Sequence, residues 1–227
     1  MTNPAPPFDA LVRDVLRLLS DRAPREGARL VLGLAGPPAA GKSTLARHLV
    51  RAVRDRLGDG VAAYVPLDGF HLSTAQLRRL GRLDRKGAPD TFDVCGYAAL
   101  LHRLVTETDH DVFVPDYDRT LHEPIAARHV VPARTRLIIT EGNYLADDAA
   151  DWREARRYIH TLWYLDAPDA VRETRLMDRQ LAGGKDESAA RAWVLRSDRR
   201  NGDRVKPTRG RCDRALVAPP LPPAPDA

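Results

Sequence analysis

The chain has 227 residues, of which 43% are hydrophobic and 30% charged, with a formal net charge of +5. That length suits one sizeable core or a core with a small appendage. No apolar run approaches the ~20 residues of a membrane helix, the start MTNPAPPFDA lacks the pattern of a secretory signal, and Cys95 and Cys212 stand far apart without partners at metal spacing. Membrane, secreted disulfide-framework and zinc-site classes are disfavoured, and a reducing cytoplasm is the expected compartment.

In chain order, Phe8, Leu11, Val12, Val15, Leu18 and Leu19 fall on one face at helical spacing. Leu30–Ala35 is a nearly continuous apolar run, as a strand buried on both faces requires. Leu45, Leu49, Val53 and Leu57 then repeat every four residues in a helix that Gly58 ends. Residues 61–68 predict a second strand, and 72–80 and 97–105 predict helices on either side of a charged connector containing Gly and Pro. DVFVPDYD (111–118) predicts a short strand running into a loop; 136–141 and 160–166 predict buried strands with acids at their C-terminal ends. Residues 168–181 and 188–198 predict helices separated by AGGKDE, 215–218 a last strand, and the Pro-rich tail 219–227 disorder. No internal repeat is visible.

Strands alternating with helices imply right-handed crossovers and a parallel sheet covered on both sides. Ligands of such sheets bind beyond the carboxyl ends of the strands. The strand-end acids therefore face the same edge as the Gly-rich turn that follows the first strand.

That turn, Gly36-Pro37-Pro38-Ala39-Ala40-Gly41-Lys42-Ser43, matches G-x-x-x-x-G-K-[ST] without a mismatch. Its backbone N–H groups and the following helix N-terminus would cradle an anion. Lys42 would reach the β- and γ-phosphates, Ser43 would take a place on Mg²⁺, and Thr44 would touch the α-phosphate side. The four lysines (Lys42, Lys86, Lys185, Lys206) occur in no Asn/Thr-Lys-x-Asp context, which disfavours a GTPase. In so arginine-rich a chain, a retained lysine hints that its compact ammonium matters. Residues 172–214 carry 13 Lys/Arg against 7 Asp/Glu. That is the footprint either of a solvated helical face or of an element that meets a polyanion.

Asp68 ends the second predicted strand in VPLDGFHLS. On position alone it serves equally as a proton acceptor for an attacking hydroxyl or as a cap for the next helix. The stretch DGFHLSTAQLRRLGRLDRKGAPDTFD resembles the segment that follows the second strand in bacterial type I pantothenate kinases. PDYDRTLH (115–122) resembles the Pro-x-Tyr-Asp…His segment of uridine kinases, and TRLMDR (174–179) the lid helix of both. Residues 28–218 thus resemble the phosphoribulokinase/uridine kinase/pantothenate kinase superfamily.

The resemblance implies a single three-layer α/β P-loop domain, nucleoside-kinase-like, with a mostly parallel sheet and a helical lid at 172–200. It implies an ATP- and Mg²⁺-dependent kinase acting on a hydroxyl of a small metabolite. Asp68 would be the base, Glu141 in IITEGNYL would help Ser43 hold Mg²⁺, and Arg175 and Arg179 would close over the phosphates. Gly36 to Thr44 would bind ATP, and Phe70, His71, Tyr117, Asp118, Arg119 and His122 would line the acceptor pocket. Glu123-Pro124 replaces the arginine that usually follows the uridine kinase His, and the Val-Tyr-Ser-His pattern of pantothenate kinases is absent. Nucleoside, pantothenate and sugar or polyol acceptors therefore all stay open. No nucleic-acid or membrane partner is expected, and a homodimer is allowed. The rivals are a nucleic-acid-linked ATPase using the basic 172–214 segment, and a nucleotide-binding regulator without turnover.

Overall fold

The computed structural model describes residues 5–21 and 28–222. In chain order these form α1 (Phe8–Asp21), β1 (Leu30–Ala35), α2 (Lys42–Leu57), β2 (Ala62–Pro66), α3 (Thr74–Arg79), α4 (Val94–Thr106), β3 (Val112–Asp118), β4 (Glu123–Val131) and β5 (Leu137–Glu141). They continue with α5 (Ala150–Arg156), β6 (Thr161–Asp166), α6 (Asp169–Ala182), α7 (Glu187–Trp193), α8 (Arg199–Val205) and β7 (Arg214–Val217). None of the described helices is long and apolar enough to cross a membrane.

Five strands pair in parallel in the order β2-β5-β1-β6-β7. The apolar run of β1 is explained by its two buried faces. Leu30, Leu32 and Leu34 pack with α1 and α2, whereas Val31 and Ala35 join the opposite core with Tyr97 and Leu101 of α4 and Trp152 of α5. Helices thus cover both faces, giving the three layers expected. The register aligns Leu34 and Pro66 with Glu141, so the ends of β1, β2 and β5 share one rim.

Two elements escaped the sequence reading. The loop expected after 118 includes β4, which pairs antiparallel with β3 in a separate two-stranded sheet. Its sequence EPIAARHVV buries only Val131 fully, so neither alternation nor an apolar run announces it. Helix α5 buries only Trp152 and Ala155 in seven residues, too few for a period to show. The helix expected at 188–198 runs further, through a π-helical segment at Val194–Asp198 into α8. Of the Pro-rich tail, Leu221 packs against the α1–α2 core and the Pro222 carbonyl lies 3.1 Å from His48 Nε2. The expectation of disorder at 223–227 falls outside the described residues.

Candidate active site

The turn after β1 is shaped by backbone that side chains resist. Gly41, immediately before α2, has φ 97°, a left-handed conformation that costs glycine least. It turns the first N–H groups of α2 inward, and no acid stands in that first turn to repel an anion. Lys42 is 6% exposed, and its Nζ donates to the Pro37 carbonyl at 3.0 Å and to Asn143 Oδ1 at 2.7 Å. Burial lowers its pKa to about 8, against the opposing pull of Glu141 and Asp68.

Asp68 lies in a short 3-10 turn at Leu67–Phe70 that leaves β2. Helix α3 takes its cap from Ser73, which accepts from the Gln76 N–H at 3.3 Å, so the capping role open to Asp68 is filled by another residue. Gly69 lets this turn press against β3, since a Cβ there would sit 2.4 Å from the Pro115 carbonyl oxygen. Asp68 Oδ2 lies 3.6 Å from Arg119 Nη2, and the Asp68 backbone carbonyl accepts from His71 Nδ1 at 2.8 Å. That bond makes Nδ1 the protonated nitrogen of a neutral His71, whose pKa burial lowers.

Glu141, at the end of β5, is 4% exposed. Its Oε1 accepts from Ser43 Oγ at 3.0 Å and from Tyr64 OH at 2.8 Å. Burial and the neighbouring Asp68 charge raise its pKa, while Lys42 lowers it. A buried carboxylate and a hydroxyl beside a phosphate cradle are hard oxygen donors. They fit Mg²⁺, which is held by one or two carboxylates plus substrate phosphates rather than by a protein cage. No cluster of three or more His, Cys, Asp or Glu able to hold a metal occurs among the described residues.

The whole cleft, from the phosphate loop past Asp68 to the lid tip, encloses about 1230 Å³. His71, Tyr117, Arg119 and His122 line it, as do Thr74, Lys86 and Asn201. The His71 ring packs between Phe92 and Tyr117, with centroids 4.1 and 4.8 Å away. Phe70 and Asp118 are not brought to the cleft. Phe70 turns into the core against Tyr97, 5.3 Å between centroids. Asp118 folds the β3–β4 turn, its Oδ1 accepting from the N–H groups of Thr120 and Leu121, both at 2.9 Å.

The lid elements reach over the phosphate loop. Buried Arg172 donates to the Pro38 carbonyl at 3.2 Å and pairs with Asp169 at 2.6 Å. Arg175 donates to the Ala39 carbonyl at 3.1 Å, and Arg179 lines the cleft. At the far end of α6, a Cβ built on Gly183 would lie 3.7 Å from His122 Cε1, so the lid tip meets the β3–β4 hairpin. Much of the basic surplus of 172–214 is consumed internally: Lys206 pairs with Asp169 and Asp203, Arg204 with Asp147, Arg209 with Asp166, Arg211 with Asp148 and Arg214 with Asp14.

Sequence reasoning missed Tyr64, Asn143 and Arg172, which hold Glu141, Lys42 and the loop. Asn143 carried a usable signal, standing two residues beyond Glu141 at the same strand end. Tyr64 and Arg172 carried none beyond their place in a strand and a helix.

No family model matches the chain. A candidate uridine kinase of Schizosaccharomyces pombe is 30% identical over 181 residues, covering 78% of this chain and 75% of that protein. A pantothenate kinase of Paenarthrobacter aurescens is 29% identical over 217 residues, covering 82% and 66%. The solved structure of a candidate fructose transport system kinase from Silicibacter sp. TM1040 is 36% identical and matches with a TM-score of 0.81, covering 95% of this chain and 99% of that one.

Proposed function

The chain belongs to the phosphoribulokinase/uridine kinase/pantothenate kinase superfamily of P-loop kinases, and from that premise we propose that it moves the γ-phosphoryl group of ATP to a hydroxyl of a small metabolite, with Asp68 as base. One observation carries the reading. The Lys42 cradle, Glu141 with Ser43, and Asp68 open onto a single cleft that continues past Asp68 to His71, Lys86, Tyr117 and Arg119.

In this reading Asp68 accepts the proton of the acceptor hydroxyl as its oxygen forms the new P–O bond and the bond to the ADP oxygen breaks. Lys42 and the loop N–H groups hold the β- and γ-phosphate oxygens, and Arg175 and Arg179 neutralise charge on the transferred group. Magnesium, when bound, supplies positive charge to the phosphate oxygens, and Ser43 and Glu141 would hold it. Asn143 keeps the Lys42 ammonium aimed along the loop, and Tyr64 keeps Glu141 turned toward Ser43. Closure of the lid, whose tip at Gly183 lies near His122, would exclude water that competes with the acceptor. Ion pairs with acids of the chain engage Arg172, Arg204, Lys206, Arg209, Arg211 and Arg214, which counts against a nucleic acid as the partner of the basic 172–214 segment.

The test is ADP release with Mg-ATP across nucleosides, pantothenate, ribulose phosphate and free sugars. Acceptor-dependent release that Asp68→Asn abolishes supports the reading. ATP hydrolysis driven by RNA or DNA and indifferent to every small acceptor overturns it.

A further inference from the structure

The charges around the cleft are unequal, and two of the cations stand on the acceptor side, away from the phosphate loop. On the loop side stand Lys42, Arg47 and Arg175, on the lid Arg179 and Lys185, and on the acceptor side Lys86 and Arg119. Among the described residues three carboxylates line the same space, Asp68, Glu141 and Asp198. Magnesium-bound ATP brings about two negative charges, which leaves positive charge unmatched, and Lys86 and Arg119 are the cations that the phosphate loop does not explain.

Both are poorly satisfied by the protein. Lys86 Nζ donates to Thr74 Oγ1 at 3.1 Å and to the His122 carbonyl at 2.6 Å, and lies 5.2 Å from the Tyr117 ring centroid. Those acceptors are neutral, and an ammonium has three donors. Glu123, an acid that acts on it through charge, makes no ion pair with it and turns both oxygens to the Thr74 N–H at 3.1 Å. Burial lowers the Lys86 pKa, the sign of a cation short of counter-charge. Arg119 has its ion pair with Asp68 at 3.6 Å. Arg119 is half exposed and its pair with Asp68 is long, so an anion entering the cleft can take the guanidinium in place of Asp68. Tyr117 stands between Lys86 and the base: its ring meets Lys86 on one side and, 4.8 Å away, the His71 ring beside Asp68.

We propose that the acceptor is itself an acid, a hydroxy compound bearing a carboxylate or phosphate group, which Lys86 and Arg119 bind while its hydroxyl meets Asp68. The acid group engages Arg119 and neutralises Lys86 while the hydroxyl stands at Asp68. A neutral nucleoside or free sugar would leave both cations where they are. This rests on the kinase reading above, which supplies the hydroxyl and the direction of transfer.

The experiment is isothermal titration in the presence of Mg-ADP with pairs that differ in charge: glycerate against glycerol, pantothenate against pantothenyl alcohol, fructose 1-phosphate against fructose. At least one acid is expected to bind at least about 10-fold more tightly than its neutral partner. Lys86→Met and Arg119→Gln should each weaken that acid by about 10- to 100-fold, the loss of a charge-assisted hydrogen bond, and leave the neutral partner nearly unchanged. The first two pairs report a carboxylate and the third a phosphate. Equal binding of acid and neutral partner, no binding of any acid, or variants that weaken both members alike overturns the proposal; the last result would mean that Lys86 only pins the hairpin. ADP release, measured in parallel without ADP, tests the parent reading separately. Acids that bind as expected but never stimulate release sink the kinase assignment and leave the anion site standing.

Discussion

Asp68→Asn replaces a carboxylate with an amide of the same shape, and the structure says what should and should not change. As a base, Asp68 contributes on the order of 10²–10⁴ in kcat, or about 3–5 kcal/mol of transition-state stabilisation. No hydrogen bond ties its side chain to the phosphate loop, and the hydrogen bonds of Lys42 go to Pro37 and Asn143, so the KM for ATP should hold or fall slightly as a negative charge leaves. The lost Arg119 pair is half exposed on the arginine side and is worth about 0–1 kcal/mol, so the melting temperature should scarcely move. The assay is steady-state ADP release with the best acceptor, ATP varied, beside a thermal melt. A variant that keeps more than about a tenth of the wild-type kcat, or that loses ATP affinity in step with kcat, refutes the assignment of the base.

Tyr64→Phe removes one of two donors to the Glu141 oxygen. It should raise the Mg²⁺ needed for half-maximal activity and cost about 1.5–3 kcal/mol in the melt, and an unchanged Mg²⁺ titration would remove Tyr64 from the site. Gly69→Ala places a Cβ 2.4 Å from the Pro115 carbonyl, so it should cost about 1–3 kcal/mol of stability and lower kcat by shifting Asp68, both read on the purified variant. Burial raises the Asp198 carboxyl from 3.8 to about 6. An acid whose folded pKa is raised contributes stability below its unfolded pKa and loses it as pH climbs through the folded value. Asp198→Asn should therefore melt higher than the parent near neutral pH and lose that gain below about pH 4; a gain constant across that range would argue against the cause.

What could be read from sequence divides along a physical line. The strand at 30–35 was legible because both faces are buried, and the cradle because a phosphate demands Gly, Lys and Ser at set places whatever the rest of the chain does. Asp68 and Glu141 were legible as strand ends, since a parallel sheet gathers its carboxyl ends on one rim. Hairpin strand β4 was not, because a two-stranded sheet with one fully buried residue imposes almost no pattern on its sequence. Phe70 and Asp118 show the same limit at the level of side chains: the family resemblance placed them at the acceptor, whereas one fills the core and the other folds a turn. Tyr64, Arg172 and the free donor of Lys86 depend on tertiary neighbours that no local pattern records. The contrast follows from what each half of the cleft must do. The phosphate half binds one fixed chemistry and therefore keeps a fixed spacing. The acceptor half is built from a hairpin loop, a connector and a lid tip that meet only in the folded chain. Its chemistry is written in charge and distance rather than in order, and the unmatched cations there speak to the acceptor where the motifs fall silent.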